Sequence, residues 1–267
     1  FEKQVPFQAP SFRLTVRLLT LARDLRRRKS RERQSLFVVE GVRAVEELLR
    51  SPLAKRGILT APQLADAPRG QALLESISSA GIEHSKVTEA EFRSAAETES
   101  PQGVLAIAEI PARTLESLPR GDRLRVLVLD ALQDPGNVGT ILRTAAALGV
   151  DATVALPGTV DIWNAKVVRS AMGAHFHHAA FHSSTDDLLS FLEKESVELW
   201  GTEANGNPVE NTKPPGRLAL AVGNEGAGLS SSVREHAAQM ISLPIAAGVE
   251  SLNVAVATGI LLYELRK

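Results

Sequence analysis

The chain has 267 residues, of which 44% are hydrophobic and 23% are charged. This composition is typical of a globular protein and excludes the disordered, collagen-like and coiled-coil classes. The sequence contains no cysteine, which excludes disulfides, thiolate metal sites and a cysteine nucleophile. No apolar run reaches the roughly 18 residues of a membrane span, and no signal peptide is recognisable. We therefore expect a cytoplasmic protein without a membrane partner.

Charge is distributed unevenly along the chain. The formal net charge is −1, from 30 basic and 31 acidic residues. Residues 11–33, however, contain nine basic and only two acidic residues, a local net charge of +7. Such a block favours contact with a polyanion, although a solvated helix surface would show the same pattern.

The first part of the chain begins with apolar residues at helical spacing between Phe12 and Lys29, which predicts a basic amphipathic helix. An alternation of strands and helices follows and predicts a small α/β domain. Strands are predicted at 36–39, 57–60, 82–87 and 103–110, and helices at 42–49, 69–80 and 89–96. We expect a basic N-terminal extension over 1–34, the small α/β domain over 35–110 and, from its prolines and glycine, a linker over 111–122.

Residues 123–267 predict a second α/β domain. Its predicted strands are apolar almost throughout, which is typical of a parallel sheet covered on both faces. Strands are predicted at 125–130, 152–156, 176–181, 197–202, 217–222 and 239–243, and helices at 137–148, 162–172, 185–195, 228–238 and 251–266.

The loop after the strand 125–130 is the first candidate site. Gly136 and Gly139 flank Asn137 where a helix begins, so free backbone N–H groups and an amide face the end of the strand. Arg143 follows six residues later. The alternative is that Asn137 merely caps the helix and that Arg143 is an exposed surface residue.

Two further loops follow predicted strands. The second places Glu225 among three glycines, where a ligand could approach the backbone closely. It is neither a Walker loop nor a dinucleotide fingerprint, and a plain structural turn is the alternative. The third leads into the last helix, which Ser251 could cap. Asn253 would then lie in the first turn, where it is a poor choice for helicity alone.

Four patterns in these segments resemble a known family. They are D-x5-G-N-x-G-x3-R from Asp130 to Arg143, G-N-E-G-x-G-L from Gly223 to Leu229, L-P-I with S-L-N-V from Leu243 to Val254, and F-V-V-E-G-x-R-x-V-E-E-L from Phe37 to Leu48. The first three resemble the motifs of the SpoU group of SPOUT RNA methyltransferases, and the last resembles the substrate-binding domain that precedes them in many members. The resemblance implies a deep trefoil knot in the C-terminal parallel-sheet α/β domain, a homodimer, and 2′-O-methylation of ribose in RNA with S-adenosylmethionine and without a metal.

The resemblance also implies roles for individual residues. The catalytic residues would be Asn137, Arg143, Glu225, Ser251 and Asn253. The cofactor would be bound by Gly223, Asn224, Gly228, Leu243, Ile245, Ser251 and Leu252. The RNA would be bound by Arg13, Arg17, Arg26, Arg27, Arg28, Lys29, Arg31, Arg33, Glu40 and Arg43.

The expected substrate is large-subunit ribosomal RNA. Transfer RNA and a resistance-conferring methylation of ribosomal RNA are alternatives, and a knotted RNA-binding protein without catalysis is an alternative of another class. A guanidinium is a poor proton acceptor because it stays charged. We therefore expect Arg143 to clamp a phosphate and polarise the 2′-hydroxyl, while the proton passes to a phosphate oxygen or water.

Four histidines cluster within eight residues: His175, His177, His178 and His182. Alternate spacing would place His175 and His177 on one face of the predicted strand 176–181. No carboxylate or thiol lies among them, so a metal site is disfavoured and a strand edge near an interface is expected.

Overall fold

The computed structural model describes residues 12–246, 248–249 and 251–266, except for the side chains of Phe12 and Arg13. The chain divides into two compact units, Phe1–Pro111 and Ala112–Lys267. Within the described residues, no helix combines the length and the apolar character needed to cross a membrane.

The first unit is built on a four-stranded sheet with the order β1-β4-β2-β3. Strand β4 runs antiparallel to β1 and β2, while β2 and β3 are parallel. The predicted small α/β fold is thereby confirmed. Its elements are α1 (Phe12–Asp24), α2 (Arg28–Gln34), β1 (Leu36–Glu40), α3 (Val42–Arg50), β2 (Lys55–Thr60), α4 (Pro68–Ser79), β3 (His84–Lys86), α5 (Glu89–Ala95) and β4 (Val104–Glu109).

Helix α1 belongs to the core of this unit. Leu18, Leu19, Ala22 and Leu25 are buried in one cluster with side chains from the sheet and α5. Gly57 on β2 makes room for α1, because a Cβ there would lie 2.6 Å from Cδ2 of Leu18. The described part of the basic N-terminal segment therefore packs on the first unit through α1.

The helix predicted between Phe12 and Lys29 is broken into α1 and α2. Arg31 is only 4% exposed, and its Nη1 donates to the carbonyl oxygens of Leu25 at 2.7 Å and Arg26 at 2.9 Å. These carbonyls follow the end of α1, where a helix leaves oxygens without an internal partner. The guanidinium donates to both carbonyls of this turn, so the expectation that Arg31 binds RNA is corrected: its side chain is buried and bonded within the fold.

The second unit contains a six-stranded sheet with the order β10-β8-β9-β5-β6-β7. Every neighbouring pair is parallel, which confirms the predicted parallel α/β fold. The trefoil knot stays a prediction. The elements are β5 (Leu124–Asp130), α6 (Pro135–Ala147), β6 (Ala152–Ala155), α7 (Ala165–Ser170), β7 (Ala179–His182), α8 (Thr185–Lys194), β8 (Glu198–Pro208), β9 (Arg217–Gly223), α9 (Ser231–His236), β10 (Gln239–Ser242) and α10 (Val254–Glu264).

The sheet order decides where the candidate loops lie. Strands β5 and β9 are neighbours and end together, with Asp130 opposite Gly223. Because all strands are parallel, the loops that follow them leave from the same edge of the sheet, where open α/β sheets bind their ligands.

The segment predicted as a linker packs on the second unit. Leu115 and Leu118 are buried in the core cluster of that unit, together with Leu124 of β5. The two leucines attach this segment to the core of the second unit.

The prediction of a strand over 176–181 is wrong at its beginning. The chain forms a 3-10 turn over Ala174–Phe176 and enters β7 only at Ala179. Gly173, with φ of 85°, turns the backbone before this segment. His175 and His177 therefore do not share a strand face.

Two of the four histidines are core residues. His175 is buried with Nε2 at 2.8 Å from the carbonyl oxygen of Ile162, and His178 is buried with Nε2 at 2.8 Å from Oγ1 of Thr153. Neither lies in a strand, so the expected position at a strand edge is wrong for both. Within the described part of the chain, no group of three or more histidine, cysteine, aspartate or glutamate residues could hold a metal ion.

These buried histidines predict acid sensitivity of the fold. Burial lowers the pKa of both His175 and His178 to about 4. Unfolded histidine takes up a proton near pH 6.5, so between these values the unfolded state binds protons that the folded state excludes. The free energy of unfolding should thus fall as the pH decreases from 6.5 to 4, by up to about 3 kcal/mol for each histidine.

Urea unfolding of the wild type and of His178→Gln across this pH range measures the effect. The variant should lose part of the pH dependence, whereas His177→Gln, at an exposed position, should keep it. An unchanged pH dependence in His178→Gln would contradict the assignment to the buried ring.

Candidate functional site

The first loop frees Asn137 for a role outside its helix. The cap of α6 is Asp134, whose Oδ1 accepts from the backbone N–H of Asn137 at 2.7 Å. Pro135 follows at the first helical position, where no backbone donor is needed. The alternative in which Asn137 caps the helix is therefore wrong, and its side-chain amide is available to other groups.

The second loop is closed by two backbone hydrogen bonds and depends on two glycines. The backbone N–H of residue 224 donates to the carbonyl of Gly228 at 3.0 Å, and that of Gly228 donates back at 2.8 Å. A Cβ on Gly223 would lie 2.4 Å from the carbonyl carbon of Gly228, and Gly228 itself has φ of +71°. Glycine is required at 223 by this close approach and at 228 by the backbone conformation.

The side chain of Asn224 ties the second loop to the first. Its Nδ2 donates to the carbonyl of Ala131 at 3.1 Å, and its Oδ1 accepts from the N–H groups of Gly226 at 2.9 Å and Ala227 at 3.0 Å. Both ends of the amide therefore serve the loop structure, which makes Asn224 a support of the predicted cofactor site.

The third loop uses Asn253 as the cap of α10. The helix begins at Val254, three residues later than predicted, and Oδ1 of Asn253 accepts from the N–H groups of Ala255 at 2.9 Å and Val256 at 3.3 Å. Its Nδ2 donates to Oδ1 of Asn137 at 3.0 Å. An amide carries both an acceptor and a donor, so asparagine can cap the helix and hold Asn137 together. The expectation that Ser251 caps the helix is wrong.

A chain of three side chains joins the three loops. Asn253 donates to Asn137, and Nδ2 of Asn137 donates to Oε1 of Glu225. Residues separated by 116 and 88 positions in the sequence thus meet through the amide of Asn137. Such convergence is expected of loops that follow the strands of one parallel sheet.

These three side chains line a cavity of about 770 Å³, a size common for sites of small organic ligands. Ser251, the fourth predicted catalytic residue, lines it too. All predicted cofactor-binding positions also contribute, namely Gly223, Asn224, Gly228, Leu243, Ile245, Ser251 and Leu252. Ile241 and Leu261 extend the apolar part of the wall.

Carboxylates give the cavity an acidic side. Asp134, Glu203 and Glu225 all contribute to the lining. Glu203 also pairs with Arg234 at 2.6 Å. An excess of negative groups favours a ligand that carries positive charge.

Sequence reasoning missed the contribution of β8. Thr202, Glu203 and Ala204 line the cavity although no motif or glycine marks them. They reach it because β8 lies beside β9 in the sheet. Only the strand order, which the alternation of elements leaves open, could have indicated these residues.

Arg143 stands apart from the other predicted catalytic residues. It is exposed and is absent from the described residues that line the cavity. Six residues separate it from Asn137 on α6, which corresponds to about 240° around the helix axis. The two side chains consequently leave α6 in different directions.

Most of the predicted RNA-binding residues are exposed. These are Arg17, Arg26, Arg27, Arg28, Lys29, Arg33 and Arg43, whereas the side chain of Arg13 lies outside the described residues. Glu40 is a second correction besides Arg31. It is 4% exposed and accepts from the backbone N–H of Glu97 at 2.9 Å and from Oγ1 of Thr98. Its carboxylate holds the segment after α5 and is therefore not free for RNA.

Family models match both units of the chain. The model of the SpoU rRNA Methylase family matches residues 124–263, and that of the MRM3-like substrate binding domain matches residues 20–106. The chain belongs to the SpoU rRNA Methylase family.

Relatives match over almost the whole length. The chain is 38% identical over 245 residues to the 23S rRNA (guanosine(2553)-2′-O)-methyltransferase RlmP of Bacillus subtilis (strain 168), covering 91% of this chain and 94% of the relative. It is 30% identical over 248 residues to the 23S rRNA (uridine(2479)-2′-O)-methyltransferase of Streptomyces viridochromogenes, covering 89% of this chain and 84% of the relative. The crystal structure of the SpoU methyltransferase AviRb from Streptomyces viridochromogenes in complex with the cofactor AdoMet is similar with a TM-score of 0.84 and 27% identity, covering 92% of this chain and 96% of that chain.

The closure of the second loop predicts that Gly223→Ala will damage the predicted cofactor site. The added Cβ would overlap backbone atoms of Gly228, so the loop must move. We expect binding of S-adenosylmethionine to weaken by at least about tenfold, equivalent to about 1.4 kcal/mol, as measured by calorimetry.

Gly226→Ala is the matched control in the same loop. A Cβ there would meet only Oδ1 of Asn224, at 3.6 Å, which is an ordinary contact. Equal affinities of the two variants would show that the close approach at Gly223 does not shape the site.

Proposed function

We propose that this protein transfers a methyl group from S-adenosylmethionine to a ribose 2′-oxygen of large-subunit ribosomal RNA. The observation that carries the proposal is the hydrogen-bonded chain from Asn253 through Asn137 to Glu225 along the wall of the cavity. It occurs in a member of the SpoU family whose structural neighbour was crystallised with AdoMet.

The cavity suits this cofactor in shape and charge. Its apolar wall, which includes Leu243, Ile245 and Leu252, offers a surface for an adenine ring, and Gly223 leaves room for close approach. The carboxylates of Asp134 and Glu225 favour a cationic ligand. When bound, S-adenosylmethionine supplies a methyl group that its sulfonium already activates, so the proposal requires no metal.

Asn137 is suited to orient the ribose. An amide has two N–H donors and an oxygen with two lone pairs. One donor is used by Glu225 and one lone pair by Asn253, which fixes the plane of the amide. One donor and one lone pair remain for the substrate, and Ser251 offers a further hydroxyl in the same lining.

Arg143 is proposed to bind the RNA rather than to remove the proton. A guanidinium has no acceptor atom, whereas its fork of donors matches two phosphate oxygens. Clamping the adjacent phosphate would place positive charge near the 2′-hydroxyl and ease its deprotonation. The proton then passes to a phosphate oxygen or to water.

A homodimer through α10 would explain the separation of Arg143 from the cavity of its own chain. Val256, Ile260 and Tyr263 are exposed on one face of this helix, at 52%, 42% and 47%. Such an apolar face is unusual in a monomer. Gly259 of α10 lies against Thr144, the residue that follows Arg143 on α6, so α10 packs beside the helix that carries Arg143.

The choice of large-subunit ribosomal RNA rests on the relatives and on the first unit. Both relatives described above are named as 23S rRNA methyltransferases. The first unit matches a model named for substrate binding, and it carries the exposed basic residues between Arg17 and Arg43. These features support a large structured RNA as the substrate.

The test is methyl transfer to an unmodified 23S rRNA transcript with labelled S-adenosylmethionine. The label should appear in a 2′-O-methylnucleoside. Arg143→Lys should lower the turnover at saturating RNA by at least about tenfold, since lysine keeps the charge but cannot make the paired contact. Its affinity for S-adenosylmethionine should be unchanged.

Arg120→Lys, at an exposed position in the same unit, is the control and should keep full turnover. Full turnover of Arg143→Lys would contradict the phosphate clamp. A wild type that binds no S-adenosylmethionine, or that binds it and transfers no methyl group to RNA, would contradict the proposed function.

The dimer predicts that Ile260→Glu will yield monomers. A charge on the apolar face of α10 would have to be buried without a partner, which is strongly unfavourable. Light scattering coupled to gel filtration should show about half the wild-type mass. Val16→Glu, at a residue of similar exposure on α1 (45%), should leave the mass unchanged. A monomeric wild type would refute the dimer.

A further inference from the structure

We propose that the turn between α1 and α2 is a docking surface for the RNA sugar-phosphate backbone and that Arg31 is its positioning residue. This surface, the basic corner, consists of Arg26 and Arg27 of the turn and of Arg28 and Lys29 at the start of α2. The inference rests on the proposed function, because it takes RNA as the substrate, and it assigns a defined surface to RNA contact.

The basic corner presents four consecutive cations to solvent. All four residues are exposed, as is Arg33 further along α2. Residues 26–33 contain six basic side chains and one acidic one, Glu32. Glu32 pairs with Arg28 at 2.7 Å, but both side chains are more than half exposed, at 59% and 53%. Such a pair contributes little and gives way readily to a phosphate.

Arg31 holds the corner in shape from inside. Its Nη1 bonds the carbonyl oxygens of Leu25 and Arg26, directly before and within the corner. Leu25 is itself 1% exposed in the core of the unit. The corner is therefore fixed to the packed core by one buried cation. A preorganised surface loses less conformational entropy when it binds than a free basic arm would.

A series of hydrogen bonds connects the end of α1 with the end of β1. Nε of Arg23 donates to Oγ of Ser94 at 3.0 Å, which joins the last turn of α1 to the last turn of α5. The segment after α5 is held by Glu40, the last residue of β1. Arg43 follows in the first turn of α3. Glu40 thus ties the segment after α5 to the end of β1, three residues before Arg43.

The composition of the corner favours the RNA backbone over the bases. No aromatic residue occurs between positions 13 and 36, so base stacking has no platform there. Guanidinium and ammonium groups instead match phosphate oxygens, and such contacts fix the position of an RNA without reading its sequence. The corner should therefore determine how firmly the RNA is held and leave the choice of nucleotide to other contacts.

The test compares two variants that lose equal charge in the same unit. Arg27→Gln with Lys29→Gln removes two cations of the corner. Arg50→Gln with Arg56→Gln removes two exposed cations, at 70% and 61%, that belong to α3 and β2 rather than to the corner. Binding of an unmodified 23S rRNA transcript is measured over a series of salt concentrations.

The corner variant should bind the RNA about tenfold more weakly, with a salt slope lower by about one to two. The control variant should match the wild type, and both should keep their affinity for S-adenosylmethionine. If the corner variant retains wild-type affinity and slope, or if both variants weaken equally, the corner is not the docking surface. If the corner instead bound an acidic protein, the corner variant would retain the wild-type RNA affinity and salt slope.

Arg31→Lys tests the positioning role because it conserves charge. Loss of the two carbonyl bonds should weaken RNA binding several-fold and reduce the salt slope. A merely structural role would lower the thermal midpoint alone and would contradict the proposal. If this variant does not fold, the double variant Arg27→Gln with Lys29→Gln still tests the docking surface.

The two proposals fail in different ways. A wild type that methylates the transcript, together with an unaffected corner variant, overturns only the docking surface. A wild type that neither binds nor methylates the transcript overturns the proposed function.

Discussion

The amide of Asn137 is the interaction on which the candidate site depends. It accepts from Asn253 and donates to Glu225, and so joins loops that are far apart in the sequence. Two helix caps make this possible. Asp134 caps α6 and leaves the side chain of Asn137 unused, while Asn253 caps α10 with its oxygen and keeps its nitrogen for Asn137. Each bond contributes only about 1 kcal/mol, but together they orient one side chain from both sides.

The backbone of the second loop gives this hydrogen-bonded chain its support. Gly223 and Gly228 approach too closely for a side chain at 223, and Asn224 ties the loop to the carbonyl of Ala131 after β5. The parallel sheet brings these segments together, since β5 and β9 are neighbours that end at the same edge. Fold and site are consequently inseparable here: the same contacts that close the loop shape the cavity wall.

The first unit exposes many cationic side chains on a packed, stable surface. One face of its basic helix α1 packs into the core, and the charged side chains of Arg31 and Glu40 form internal hydrogen bonds. The remaining basic residues stay exposed. The near-zero net charge of the whole chain therefore hides a division of roles between buried charges that shape the unit and exposed charges that can meet a polyanion.

The sequence by itself determined the alternation of strands and helices, the parallel sheet and the three loops, because hydrophobic periodicity and glycine position are local signals. It also placed Asn137, Glu225 and Asn253 in the site through their motifs. Only the tertiary structure decided that Arg31 and Glu40 are internal, that Arg143 leaves α6 away from the cavity, and that Glu203 of β8 lines it. The physical reason is that a polar side chain takes its role from its partners, and those partners come from distant parts of the chain that only the fold brings together.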